Sequence, residues 1–251
     1  HNVVLPPPPV PPPLTASPPP SERSCRLRFG FRKKGSLALI SHLDTVRMLE
    51  RALRRSGLPV SFSGGYHPLP RLQLALPLPL GVEGLGEWMD LVLTCRMQPE
   101  EVRRILQRQL PDDFQLSSAG EVTPGSPNLS QLLRSARWSI ELLPQREPMG
   151  GTLPDLEGPA WQQAIDMLLA ADRLPWHDTD KKGRPRQRDL RPYLSGLELT
   201  APGKVRLEAG IDAQGRSLRP EHLQSLLATR LGVGLVLGQL RREALLLAAT
   251  C

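Results

Sequence analysis

The segment Ser41–Gly81, SHLDTVRMLERALRRSGLPVSFSGGYHPLPRLQLALPLPLG, decides how this chain is read. Ser41 stands where an N-cap belongs, and Asp44, three residues on, can reach back to it as in a capping box. Leu43, Val46, Leu49 and Leu53 then recur at helical spacing, which predicts a helix from Ser41 to about Ser56 with those residues turned inward. Arg47, Arg51, Arg54 and Arg55 fall on the other side and offer guanidinium groups outward. Gly57 stops the helix and Pro59 bars its continuation. An extended passage runs on to Leu80, broken by a Gly64-Gly65 turn. A helix of this kind packs on a core and favours an anionic partner. It identifies no enzyme.

Working outward, Arg26–Phe31 alternates with Leu27, Phe29 and Phe31 on one face, a half-buried strand, and Lys33, Lys34 and Gly35 read as a basic turn. Glu87–Met97 alternates again through Met89, Leu91 and Leu93. Pro99, Glu100 and Glu101 open a helix carrying Val102, Ile105, Leu106 and Leu110 inward, and Phe114–Val122 supplies another strand. The order is β-α-β-β-α-β, the ferredoxin-like split βαβ. The remainder repeats that order. Arg137–Leu143 is a strand and Pro159–Ala171 a helix with Trp161, Ile165, Leu168 and Leu169 inward. Leu194–Thr200 and Lys204–Ile211 flank the hairpin signal Pro202-Gly203, a helix starts at Pro220, and Leu235–Leu247 closes the sheet. The expected fold class is α+β, with two tandem ferredoxin-like units at 25–123 and 137–251 and a connector at 124–136. The halves share no sequence identity, so the order of elements alone carries that expectation.

Ten of the 28 prolines lie in the first twenty positions, so residues 1–24 read as a disordered, stiff polyproline-II linker; a ligand for proline-binding domains is the sharper alternative. The chain begins without methionine, which suggests a piece of something longer. Net charge is +7 and unevenly spread. Residues 21–60 hold ten Lys/Arg against three acids, and residues 181–191, KKGRPRQRDLR, hold six against one. Two cationic patches on a near-balanced background suit phosphate backbones or acidic protein surfaces. Cys25, Cys95 and Cys251 are too few and too scattered for a zinc or iron–sulfur site, and three reduced thiols fit a cytoplasmic location. No apolar run has the ~18 residues of a membrane span. Neither a metal nor a cofactor is expected in this chain.

Several motifs resemble a bacterial family, the radical-SAM-linked domain of unknown function. They are Phe31-x-Lys33-x-Gly35, Ile40-Ser41-His42-Leu43-Asp44, Arg51-Ala52-Leu53-Arg54-Arg55, Leu58-Pro59-Val60, Ser63-Gly64-Gly65-Tyr66-His67-Pro68 and Pro77-Leu78-x-Leu80-Gly81, with Asp189-Leu190-Arg191-Pro192-Tyr193 further on. Members of that family sit at the C-terminal end of radical-SAM proteins with a cobalamin-binding region, or beside or fused to ribonuclease E/G-type proteins. The resemblance implies a place in RNA modification or processing and a radical-SAM partner, fused or in trans. This chain has no CxxxCxxC cluster ligands, so such chemistry would belong to the partner.

The expected role is a non-catalytic accessory module that binds structured RNA or a ribonucleoprotein and no membrane. The residues assigned to that surface are Lys33, Lys34, His42, Arg47, Arg51, Arg54, Arg55, Tyr66 and His67. Lys181, Lys182, Arg184, Arg186, Arg188 and Arg191 join them, in what is either an RNA-gripping loop or a disordered insertion. Tyr66 offers a ring on which a base can stack. A second reading is a protein-interaction domain docking its radical-SAM or ribonuclease partner. A third is a metal-independent RNA endonuclease with His42 or His67 taking a 2′-hydroxyl proton, as a histidine in a comparable place does in two-repeat ferredoxin-like RNA endonucleases of CRISPR systems. Fold analogy does not carry that function, and a helix-capping or turn histidine is the simpler account of each.

Overall fold

Leu27, Phe29 and Phe31 alternate with Arg26, Arg28 and Gly30 along β1 (Cys25–Lys33), and this phase decides which side of the molecule is core. A computed structural model describes residues 24–145, 156–179 and 182–248. The expected linker, apart from Ser24, and Lys181 lie outside those residues. The chain folds as α+β: β1, α1 (His42–Ser56), β2 (Leu72–Leu74), β3 (Glu83–Leu93), α2 (Pro99–Gln107) and β4 (Phe114–Val122) form its first part. The second part is α3 (Leu129–Leu132), β5 (Leu133–Pro144), α4 (Gly158–Ala170), β6 (Pro175–Thr179), β7 (Pro185–Asp189), β8 (Leu194–Ala201), β9 (Lys204–Gly210), α5 (Pro220–Leu231) and β10 (Leu235–Leu247).

Among the described residues eight strands join in one mixed sheet, in the order β4-β1-β3-β10-β5-β9-β8, with β2 pairing β3 further along the side that β10 meets; β6 and β7 form a separate hairpin. Within each half the neighbours are antiparallel. The halves meet through a short parallel pairing of Arg241 and Arg242 on β10 with Glu83 and Gly84 on β3. Gly86 allows that approach, because a Cβ there would lie 2.6 Å from the Glu243 carbonyl oxygen.

α1 starts as its sequence predicts. The Ser41 hydroxyl accepts from the Asp44 N–H at 3.1 Å and donates to the Asp44 carboxylate at 2.7 Å, and Gly57 closes the helix at φ +70°. Its buried face is Thr45, Leu49, Ala52 and Leu53, and Leu43 is 66% exposed. That corrects the expected inward set. At about 100° per residue Leu43 stands roughly 120° from Leu49, off the face on which Leu49, Ala52 and Leu53 agree. Proline opens α2, α4 and α5, where its missing N–H costs no helical bond.

Two apolar clusters result. One holds Leu27, Phe29 and Phe31 against Leu49, Leu53, Val102 and Leu106, with Phe31 and Phe114 stacked at 4.7 Å between centroids. The other holds Trp138, Ile140, Val205 and Leu207 against Trp161, Ile165, Leu223 and Leu227. Ala75, Leu78 and Val82 belong to this second cluster although they precede β3. β5 begins at Leu133, four residues ahead of the expected Arg137, and α3 occupies part of the expected connector. Lys181–Arg191 is not a loop throughout: Pro185–Asp189 pairs antiparallel with β6, and a 3-10 turn follows at Arg191–Tyr193.

Candidate nucleic-acid interface

Arg47, Arg51 and Arg54 follow one another on the exposed side of α1 at i, i+4 and i+7, with Arg55 beside them. Arg47 reaches Asp44 at 3.3 Å. Arg54 lies over the Phe62 ring at 5.9 Å, and Arg55 donates to the Gln109 carbonyl at 2.8 Å. Among the described residues none of Arg51, Arg54 and Arg55 pairs with a carboxylate. The Phe62 contact ties the helix to the neighbouring turn, Ser63–Leu69, which closes on itself through Ser63 N–H to the Leu69 carbonyl at 2.8 Å. Tyr66 projects from that turn 94% exposed, its ring edge-on to His67 at 4.9 Å.

Five arginines on the outward phase of the strands are arranged differently. Arg28 grips Asp90 at 2.8 and 2.9 Å with Arg26 nearby, and Arg137 meets Glu208 at 3.0 Å. Arg206 lies between Glu198 and Glu243, and Arg241 meets Glu83 at 2.8 Å. Carboxylates offset most of their charge, with Arg26 and Arg28 sharing Asp90. On α1, Arg51, Arg54 and Arg55 set three cations side by side on one helix face.

Lys33 is not in a basic turn on the surface. It is 1% exposed, on the inward phase set by Leu27, Phe29 and Phe31, and its ammonium donates to the Ile40 carbonyl at 3.0 Å. Burial lowers its pKa and the nearby Glu87 opposes that shift. Arg242, also 1% exposed, holds both Glu87 oxygens at 2.8 and 2.6 Å and the Pro77 and Leu76 carbonyls at 3.1 and 3.0 Å, with its guanidinium 5.5 Å from the Trp138 ring. His42 borders this cluster. Burial, then the charges of Lys33 and Arg242, push the His42 pKa below its ordinary value and favour the neutral imidazole. The space beside it, lined by Phe31, Lys33, Thr45, Leu74, Leu76, Leu78 and Glu87, is about 10 Å³. That is about one water and no ribose. His42 and His67 are not brought together, since His67 stands in the exposed turn. Lys34 is half-buried, its N–H on the Asp113 carbonyl at 2.9 Å.

Sequence reasoning missed Glu87 and Arg242. The signal was available for Glu87, which shares the inward phase of Met89, Leu91 and Leu93 on β3. An acid in that phase announces a buried partner.

The second basic stretch divides. Arg186 holds Asp178 at 2.9 Å through two nitrogens and Arg188 reaches the same carboxylate, and the Arg186 hydrogen bond is the first cause of an Asp178 pKa lowered to about 2. Arg191 donates to the Ala171, Leu194 and Leu169 carbonyls at 2.9, 3.1 and 3.2 Å, which caps the end of α4. Asp189 accepts from the Leu174 and Arg191 N–H groups at 2.8 and 3.0 Å, and the Tyr193 hydroxyl donates to Asp212 at 2.9 Å. The Asp189–Tyr193 motif is thus a clasp for α4 and β8. Lys182 and Arg184 are exposed near the hairpin turn. Among the described residues no three of His, Cys, Asp and Glu gather into a metal-binding group, and no helix is long and apolar enough to cross a membrane.

The chain is similar to part of a crystal structure of a Cbf5-Nop10-Gar1 complex, at 16% identity and TM-score 0.42, covering 85% of this chain and 48% of that one. It spans about half the length of that matched chain. A protein described as a glycine cleavage system transcriptional repressor is similar at 10% identity and TM-score 0.20, over 87% of this chain and 98% of that one. At such scores neither likeness carries an argument about activity. No curated protein matches the chain. The profile of a family described as an uncharacterized protein conserved in bacteria, DUF2344, matches residues 26–220, and the chain belongs to that family.

Proposed function

We propose that this chain is a non-catalytic accessory module that binds structured RNA or a ribonucleoprotein through α1 and the Ser63–Leu69 turn, and presents it to a radical-SAM partner. The observation that carries the reading is the contrast in compensation. Arg26, Arg28, Arg137, Arg206 and Arg241 on the strands meet carboxylates, whereas Arg51, Arg54 and Arg55, adjacent on one helix face, meet none among the described residues. A solvated helix face of that charge attracts a phosphate backbone, and the exposed Tyr66 ring beside it offers a stacking surface. The radical-SAM partner rests on the motif resemblance alone.

The same reading takes the fold as two ferredoxin-like units, 25–123 and 137–251, sharing one sheet. Strand orders β4-β1-β3-β2 and β10-β5-β9-β8 support it, since each is the arrangement a βαββαβ chain adopts, with β6 and β7 inserted before β8.

Charge reversal of Arg51, Arg54 and Arg55 to Glu tests the function. Binding of labelled tRNA and ribosomal RNA fragments should fall below detection at physiological salt. In wild type the log–log salt slope should approach −2 to −3, about −0.7 to −0.9 for each of three phosphates. Melting temperature should move little, because all three side chains are exposed. RNA binding that survives the triple change would make the arginine stripe ordinary solvated surface.

A second reading, docking on the radical-SAM or ribonuclease partner without RNA, is favoured by one observation. Leu39, Leu43 and Leu80 are 72%, 66% and 67% exposed, and the Gly81 N–H to Ala38 carbonyl bond brings Leu80 beside Leu39. Capture of the partner that persists after nuclease treatment, and is lost in Leu39→Ser/Leu43→Ser, would support that reading over RNA bridging.

A further inference from the structure

We infer that the outward face of the first half-sheet holds a second site, a groove that takes one unstacked nucleobase of single-stranded RNA. The groove is about 300 Å³ and is lined by Arg28, Trp88, Ser118, Gly120 and Thr123, with Ser126 at one end. Trp88 is its distinctive part. The indole N–H donates to the Leu245 carbonyl on β10 at 2.9 Å, while the six-membered ring lies 3.6 Å from where a Gly30 Cβ would be on β1. One end of the indole therefore reaches over β10 and the other over β1, so the ring lies across the sheet. A pinned aromatic plane of this kind stacks with a base of any sequence.

The floor beside it is low, with the small Ser118 side chain and the bare backbone of Gly120. Gly30 is covered, since a Cβ there would meet the Ser118 and Ser117 hydroxyls at 2.6 and 2.9 Å, whereas Gly120, opposite Arg28 on β4, opens onto free space. Arg28 is held by Asp90 through Nε and Nη2, which fixes its plane at the groove edge as a preorganised donor for a base oxygen or ring nitrogen. Arg26 ties the far end by donating to the Ser126 carbonyl at 2.6 Å. Arg26 and Arg28 share the single Asp90, and Glu121, which also lines the groove, is paired with Arg96, so the edge keeps a net positive charge. Arg32, exposed on the same face two residues beyond Gly30, stands about 7 Å further along at strand rise, within reach of an adjoining phosphate.

This inference goes beyond the α1 reading and rests on it only in taking the partner as RNA. It gives the recognised RNA a second requirement, an unpaired base beside a structured region. The probe is hexa-adenylate added to the full chain, with intrinsic tryptophan fluorescence and anisotropy of an end-labelled oligomer as readouts. Wild type should show quenching. Gly120→Phe, which fills the groove from open space, should weaken binding roughly tenfold or more at unchanged melting temperature. Trp88→Leu should weaken it similarly and abolish the quench. Absence of quenching in wild type, or full affinity in Gly120→Phe, overturns the groove. Loss of structured-RNA binding in the α1 triple variant, with the hexamer still bound, keeps both proposals. Retained structured-RNA binding in that variant, with hexamer binding lost in Gly120→Phe, overturns the α1 reading and leaves the groove standing.

Discussion

Glu87 lies between two cations, and only one of them is in its own half of the chain. Arg242 satisfies both of its oxygens and Lys33 lies close by, all three 2% exposed or less. Removing one partner of such a pair leaves a buried charge alone, so Glu87→Leu should cost about 3–5 kcal/mol in urea denaturation. Glu87→Leu/Arg242→Met should recover most of that loss; if the double variant is worse than either single one, the two residues do not act as a pair. His222 makes a different prediction. It is 7% exposed, its Nδ1 accepts from the Arg219 N–H at 3.2 Å and its ring lies 4.6 Å from Trp176. Burial, then the charges of Arg188 and Arg219, lower its pKa to about 4. The unfolded chain therefore takes up this proton first as pH falls from about 6.5 towards 4, and stability declines by roughly 1–3 kcal/mol across that window. Above about 6.5 the group makes no difference, since it is neutral in both states. Thermal melts between pH 7.5 and 4.5 should show this slope, and His222→Gln should flatten it. Lys33 shows why such sites are hard to read from sequence. Beside Lys34 and Gly35 it looks like a turn residue, yet its parity with Phe29 and Phe31 places it inside.

α1 is the element whose ends were legible and whose inward set was legible only in part. Its cap, its arginine stripe and its glycine stop are local chemistry, encoded within a few residues of where they act. Ser41→Ala removes the acceptor for the Asp44 N–H and should cost about 1 kcal/mol by denaturant titration. No loss would mean that the exposed helix end is satisfied by water. Leu43 was placed inward by its apolar character, and the phase set by Leu49, Ala52 and Leu53 overrides that. The hairpin β6–β7 was hidden for another reason. Pro175–Thr179 and Pro185–Asp189 are polar and start at prolines, so neither shows the apolar alternation that marks a strand. What holds them is the pairing of Asp178 with Arg186 and Arg188 across the strands, which composition reads only as a basic run.

At the scale of the molecule, the order of strands and helices, α3, β6 and β7 apart, was legible because hydrophobic period is a local property. The seam between halves was not, because it joins residues 155 positions apart through Glu87 and Arg242. Nothing in the spacing of LGQLRREALLL says that its second arginine enters the other half. The seam has a thermodynamic consequence. β10 pairs with β3, Ala75, Leu78 and Val82 belong to the apolar cluster of the second half, and Trp88 donates to the Leu245 carbonyl. Unfolding either half exposes surface that the other needs covered, so the described fold should melt in one cooperative transition, with calorimetric and van't Hoff enthalpies equal. Gly86 is where that coupling can be cut. A Cβ there meets the backbone of Glu243 and Ala244 at 2.6 and 3.0 Å, atoms that cannot turn aside as a flexible side chain does. Gly86→Val should therefore force β3 and β10 apart and split the melt into two transitions, each of lower enthalpy. Two transitions already present in the unaltered protein would mean that the halves fold independently and the shared sheet adds no cooperativity.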